Sequence, residues 1–98
     1  MSYRRETAVE KRFCELATAR GWLALKFVVP GRVGYPDRIV FKPGGEVFFV
    51  EMKSPDATRD AAHIARQKRR ADELRALGFR VYVLLSIEDV ESWFVDHS

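Results

Sequence analysis

The chain of 98 residues lacks several features, and each shortage argues against a class of protein. Its single cysteine, Cys14, cannot form a disulfide within the chain, so we expect a reducing, cytoplasmic setting and no disulfide-stapled fold. No apolar run approaches the roughly 18 residues of a membrane-spanning helix. The charged first residues, Met1 to Glu6, do not resemble a signal peptide. The net charge of +3 is too small to identify a polyanion partner by itself.

The chain does contain enough apolar sequence for a core, because 47% of its residues are hydrophobic. No linker, repeat or low-complexity stretch divides it, so residues 1–98 are expected to form one domain. Hydrophobic periodicity predicts a helix over about 4–20, strands over 22–29, 37–41 and 47–53, a helix ending near Gly78, a strand over 79–85 and a last short helix. The second helix would begin at a cap, either Thr58 or Asp60. The predicted fold class is α/β: an αβββαβ core with a mixed four-stranded sheet flanked by helices, plus a short C-terminal helix.

Charged residues cluster where two predicted strands meet. The strands 37–41 and 47–53 are joined by Pro43-Gly44-Gly45, which has the composition of a hairpin turn. Antiparallel pairing would bring Asp37 alongside Glu51, and strand alternation puts Glu51 and Lys53 on one face. Charges clustered at the edge of an apolar sheet are costly unless they bind something, and a divalent metal is the obvious candidate. The alternative is a solvated strand end with a salt bridge to Lys53.

The order Gly34-x-Pro36-Asp37, a strand, then Glu51-x-Lys53 resembles the PD-(D/E)XK nuclease superfamily. Within it, nearly the whole chain resembles the virus-type replication-repair nuclease (VRR-NUC) domains. The matching elements are Glu10, Lys26, Gly34-Tyr35-Pro36-Asp37, Glu51-Met52-Lys53, Gln67 and Leu77-Gly78. The segments Ala8-Val9-Glu10 and Val50 to Lys53 are also similar to archaeal Holliday-junction resolvases.

This resemblance implies a restriction-endonuclease-like core and a Mg²⁺- or Mn²⁺-dependent endonuclease that hydrolyses DNA. By resemblance, Asp37, Glu51 and the backbone carbonyl of Met52 would hold the metal, and Lys53 would act on the attacking water and the transition state. Glu10 resembles an additional acidic ligand, acting directly or through water, although Glu6 lies on the same helical face and could take that role.

Gln67 falls within the apolar stripe of Ile64, Ala71 and Leu74 on the second helix. It could satisfy a buried backbone group there. The resemblance instead makes it a catalytic-site residue that contacts substrate or a water at the metal.

Basic residues suggest a DNA footprint. Lys26, Arg32, Arg66, Arg69 and Arg70 are expected to contact phosphates, although a strand lysine can snorkel and helix charges are often a solvated face. No aromatic residue is obviously placed for base stacking, because the aromatics suit the core. This predicts recognition of the DNA backbone and of DNA shape.

The stand-alone domains that the chain resembles are typically homodimers that resolve four-way junctions. The resemblance therefore implies branched DNA and a second copy as partners, a part in repair or recombination, and a bacterial or phage-encoded context. Candidates for the dimer contact are Trp93 and Phe94, unless these cover the sheet, and whichever apolar side chains the second helix leaves uncovered. A non-catalytic DNA-binding module and a subunit of a larger nuclease complex are the alternative functions.

Overall fold

The computed structural model describes residues 6–53 and 60–97. These residues form α1 Ala8–Ala19, β1 Leu23–Lys26, β2 Arg38–Phe41, β3 Val47–Met52, α2 Ala61–Ala76, β4 Arg80–Leu84 and α3 Ile87–Asp96. The strands lie side by side in chain order. The first three are antiparallel, and β4 runs parallel to β3 because α2 carries the chain across the sheet between them. The predicted mixed α/β fold is therefore confirmed.

The hairpin between β2 and β3 has the predicted register. Gly44 and Gly45 both adopt a positive φ, at 90° and 86°, which residues with a side chain rarely do. Arg38 pairs with Val50 across the two strands, so the next position outward brings Asp37 opposite Glu51. The turn and the alternation of the strands thus place both carboxyl groups at one end of the sheet.

Hydrophobic clusters cover both faces of the sheet. One face packs against α1 and α3, and its cluster comprises Val9, Phe13, Ala17, Trp22, Val40, Phe48, Val50, Met52, Leu84, Val90, Trp93 and Phe94. Trp93 and Phe94 are only 7% and 2% exposed. The suggestion that they form a dimer contact is therefore wrong, because they are needed for this core.

The opposite face packs against α2. Ala71 and Leu74 of this helix contact a smaller cluster that includes Phe49 and Val81. The third apolar residue of the predicted stripe, Ile64, is 48% exposed, so that part of the prediction is wrong. The first half of α2 instead presents polar side chains to the end of the sheet.

Element boundaries differ from the sequence predictions mainly at α1 and β1. The first helix begins at Ala8 with Thr7 as its N-cap, so the prediction that Glu6 lies on a face of this helix is wrong. The strand β1 ends at Lys26 and not at Val29, although the N–H of Phe27 still donates to the carbonyl of Asp37 at 2.9 Å. Asp60 caps α2 by accepting from the N–H of His63, whereas Thr58 lies outside the described residues. No helix in the described part of the chain is long and apolar enough to cross a membrane.

Candidate active site

Asp37 lies directly before β2 and is buried. Its Oδ2 accepts a hydrogen bond from the backbone N–H of Met52 at 2.8 Å. This bond continues the contact between β2 and β3 beyond their last regular pair. It therefore fixes the Asp37 carboxylate beside the end of β3, where Glu51 lies.

Glu51, Lys53 and Gln67 form one hydrogen-bonded group on the α2 face of the sheet. The Gln67 Nε2 donates to Glu51 Oε2 at 2.8 Å, and the Gln67 Oε1 accepts from Lys53 Nζ. Lys53 Nζ also lies 3.6 Å from Glu51 Oε2, as an ion pair. Gln67 therefore bonds two charged side chains, and this explains why a polar residue occupies the helical stripe.

Glu10 occupies a different environment. It is 0% exposed and belongs to α1, which packs on the opposite face of the sheet. Arg38 Nε donates to Glu10 Oε2 at 3.3 Å, and Lys26 Nζ lies 4.0 Å from the same oxygen. Glu6, the alternative acidic residue, accepts from Arg38 Nη2 at 2.7 Å. Both acidic residues thus bind the same arginine.

Arg38 is a buried residue that sequence reasoning missed. The signal was available, because a charged residue directly follows Asp37 at the start of an otherwise apolar strand. Strand alternation turns it away from Asp37 and toward the face that α1 covers. Its acidic partners could not be recognised without the packing of α1.

Glu10 and Asp37 nevertheless line the same groove. This groove has a volume of about 440 Å³ and lies between the start of α1, the end of β1 and the loop that leads to β2. Lys26 and Arg32 also line it. The groove therefore brings two of the predicted phosphate contacts to the edge of the carboxylate site.

The loop before Asp37 is fastened to α2 through Tyr35. The Tyr35 hydroxyl donates to Glu73 Oε1 at 3.0 Å, and the Arg70 guanidinium lies 4.9 Å from the centre of the Tyr35 ring. Arg70 also donates to Glu73 Oε2 at 2.7 Å and to the carbonyl of Val33 at 3.1 Å. The hydrogen bonds from Arg70 and Tyr35 hold the pKa of the Glu73 carboxyl below its ordinary value. Arg70 thus has a structural task in addition to its predicted contact with DNA.

The remaining basic side chains differ in exposure. Arg32 is exposed, with its guanidinium 5.5 Å from the Tyr35 ring, and Arg69 is exposed on α2. Arg66 is half-buried because its side chain lies against Gly34. Of the five predicted DNA contacts, Lys26 and Arg32 line the groove. Arg66, Arg69 and Arg70 belong to α2, and Arg70 lies against the same Tyr35 ring as Arg32.

The donor set at the site suits a hard divalent cation. Mg²⁺ is commonly held by only one or two carboxylates, with waters completing its shell, and Asp37, Glu51 and the Met52 carbonyl offer such oxygen donors. Within residues 6–53 and 60–97, no group of three or more His, Cys, Asp or Glu side chains is placed to hold a metal. Direct ligation by Glu10 together with the other two carboxylates stays a prediction.

Comparison with known proteins identifies the family. The chain is 41% identical over 88 residues to "Putative nuclease p44" of Acyrthosiphon pisum secondary endosymbiont phage 1, which covers 90% of this chain and 89% of that protein. A solved structure described as "VRR_NUC domain" matches with a TM-score of 0.80 and 31% identity, covering 95% of this chain and 97% of the other. No family model matches the chain.

Fold, site and relatives together define a nuclease. The chain belongs to the VRR-NUC family, as the order of its motifs predicts.

Proposed function

We propose that this chain is a Mg²⁺- or Mn²⁺-dependent endonuclease that hydrolyses DNA phosphodiester bonds. The observation that carries the proposal is the group formed by Glu51, Gln67 and Lys53 next to the buried Asp37. One carboxylate and one ammonium joined by an amide, beside a second buried carboxylate, have little value for stability alone, since burying charge is costly. In a nuclease the same arrangement supplies cation ligands and a positive group beside the phosphate.

Each residue has a separate role in this proposal. Asp37 and Glu51, with the Met52 carbonyl, would hold the cation, and the bond from the Met52 N–H keeps the Asp37 carboxylate in position. When bound, the cation lowers the pKa of water and offsets negative charge on the phosphate. Lys53, kept on this face by Gln67 and Glu51, orients the attacking water and stabilises the charge that develops at the phosphate.

The substrate we propose is branched DNA, bound by a homodimer. Lys26 and Arg32 in the groove would contact phosphates near the cut, and Arg66, Arg69 and Arg70 of α2 would extend the contact. Two cuts on opposed strands of a junction need two sites, and a two-fold axis between two copies would supply them. The phage relative supports action in the bacterial cytoplasm.

Cleavage assays on defined DNA test this proposal. Labelled four-way junction, flap, single-stranded and linear DNA are each incubated with protein and Mg²⁺, Mn²⁺ or a chelator. We expect cutting of the branched substrates with either metal and none with the chelator.

The Lys53→Ala variant separates cation binding from chemistry in the same assay. Calorimetry should still detect cation binding, while the cleavage rate falls by about two to three orders of magnitude because a charged group that stabilises the transition state is lost. If Lys53→Ala loses its fold together with its activity, Lys53 instead forms a salt bridge that stabilises the end of the strand. Cutting in the presence of the chelator would refute metal dependence.

A further inference from the structure

Arg38 connects the two sides of the candidate site. On β2 it directly follows Asp37, and its guanidinium reaches two acidic residues at the start of α1. Nε donates to Glu10 in the first turn of α1 and Nη2 donates to Glu6, which precedes the helix, so one planar group binds two carboxylates. The Arg38 side chain is only 7% exposed. It therefore lies behind the groove and is not among the residues that line it.

Arg38 compensates the buried charge at Glu10. A carboxylate that is 0% exposed is costly to keep ionised unless a cation compensates it. Lys26 also approaches Glu10, but at 4.0 Å and from the side of the groove, where its side chain is 37% exposed. Arg38 is the closer and more buried of the two cations, so it sets where the Glu10 carboxylate lies.

We infer that Arg38 is a positioning residue of the active site, which holds the Glu10 carboxylate in the wall of the groove beside Asp37. This inference rests on the proposed nuclease function. The backbone of β2 fixes Asp37 and Arg38 as neighbours, and the guanidinium then fixes α1 relative to both. Arg38 acts only through Glu10 and does not touch the substrate.

The test compares Arg38→Met, Glu10→Gln and the double variant in steady-state cleavage. We expect kcat of Arg38→Met to fall by about 10- to 100-fold with KM for DNA within about twofold, the usual effect of losing a group that orients a site residue. If Arg38 acts through Glu10, the double variant cleaves no more slowly than the slower single variant. If the losses in kcat of the two single variants multiply in the double variant, the inference is overturned.

Arg12→Met is the matched control. Arg12 also ties α1 to another element through an ion pair, with Glu91 of α3 at 2.9 Å, but its side chain is 38% exposed and outside the groove. Its kcat should equal that of the parent. An equal loss in both arginine variants would show a general effect of α1 docking and would overturn the inference.

Folding is monitored separately by denaturant unfolding. If Arg38→Met unfolds because Glu10 is left buried and poorly compensated, the neutral Arg38→Met/Glu10→Gln protein should regain stability without regaining activity. Arg38→Lys keeps the positive charge but lacks the planar guanidinium that donates to both carboxylates, so it should fold and show an intermediate kcat. Activity restored together with stability would overturn the inference.

A parent that cuts no DNA would refute the proposed function itself, whereas a cutting parent with an unaffected Arg38→Met would refute this inference alone.

Discussion

Replacing Gly34 by alanine tests how closely the loop before Asp37 must approach α2. Gly34 has a φ of +95°, and a Cβ there would lie 2.9 Å from Arg66 Cγ and 3.2 Å from the Arg66 backbone carbon and oxygen. The Cγ contact could relax by rotation of a flexible side chain. The two backbone contacts could not, because they belong to the body of α2, so the loop and the helix must separate.

Two costs contribute to the expected destabilisation. An alanine held in this left-handed region costs about 1–3 kcal/mol. The overpacking against Arg66 adds about 1–3 kcal/mol. The sum of about 2–6 kcal/mol is a large part of the roughly 5–15 kcal/mol that stabilises a domain.

Gly44→Ala measures the cost of the left-handed backbone conformation alone. Gly44 has a nearly equal φ of +90°, yet nothing lies within 4 Å of the position that a Cβ would take there. Urea unfolding followed by tryptophan fluorescence, which reports on the buried Trp22 and Trp93, gives the two free energies of unfolding. Gly34→Ala should be less stable than Gly44→Ala by about 1–3 kcal/mol.

Activity gives a second readout of the same pair. Arg66 is followed directly by Gln67, which bonds Glu51 and Lys53. Any shift of α2 away from the loop therefore moves that amide, and Gly34→Ala should cleave more slowly even where it is fully folded. Equal stability and equal activity of Gly34→Ala and Gly44→Ala would refute the claim that close packing of the loop on α2 positions the site residues.

Two further predictions concern acid stability and assembly. Because Arg70 and Tyr35 hold the pKa of Glu73 below its ordinary value of 4.5, ionised Glu73 stabilises the fold above that pH, and this contribution is lost as the pH falls through the lowered pKa. The thermal midpoint of the parent should therefore drop more steeply than that of Glu73→Gln as the pH falls below 4.5, and parallel curves would contradict this. Sedimentation at micromolar protein should show about twice the chain mass of 11.3 kDa, and junction DNA should bind more tightly than linear duplex, with a steep dependence on salt. A monomer that prefers linear ends would refute the junction-resolving proposal.

The hairpin and its register could be predicted from sequence because they depend on local rules. Gly44-Gly45 marks the turn, and period-two alternation leaves one register that buries Phe48 and Val50 with Val40. Since register fixes every later pair, the approach of Asp37 and Glu51 follows from the same rules. The polar cap of α2, Asp60, is equally local.

The partners of the site residues could not be predicted in the same way. Arg38 meets Glu10 across 28 residues of sequence, and Tyr35 meets Glu73 across 38. Such pairs depend on the angle at which each helix crosses the sheet, which periodicity does not encode. The exposure of Ile64 has the same origin, because the apolar contacts of α2 with the sheet come from its later turns, at Ala71 and Leu74.

The proposed nuclease activity requires Asp37 and Glu51 to hold a divalent cation. The most direct measurement compares the parent with Asp37→Asn and Glu51→Gln, each tested for Mg²⁺-dependent cutting of labelled junction DNA and for binding of the same DNA without metal. Both substitutions keep side-chain size and remove the negative charge that a hard cation requires. We predict that each variant binds the DNA at least as tightly as the parent and cuts none of it. Undiminished Mg²⁺-dependent cutting by both variants would refute the proposed role of Asp37 and Glu51 as cation ligands.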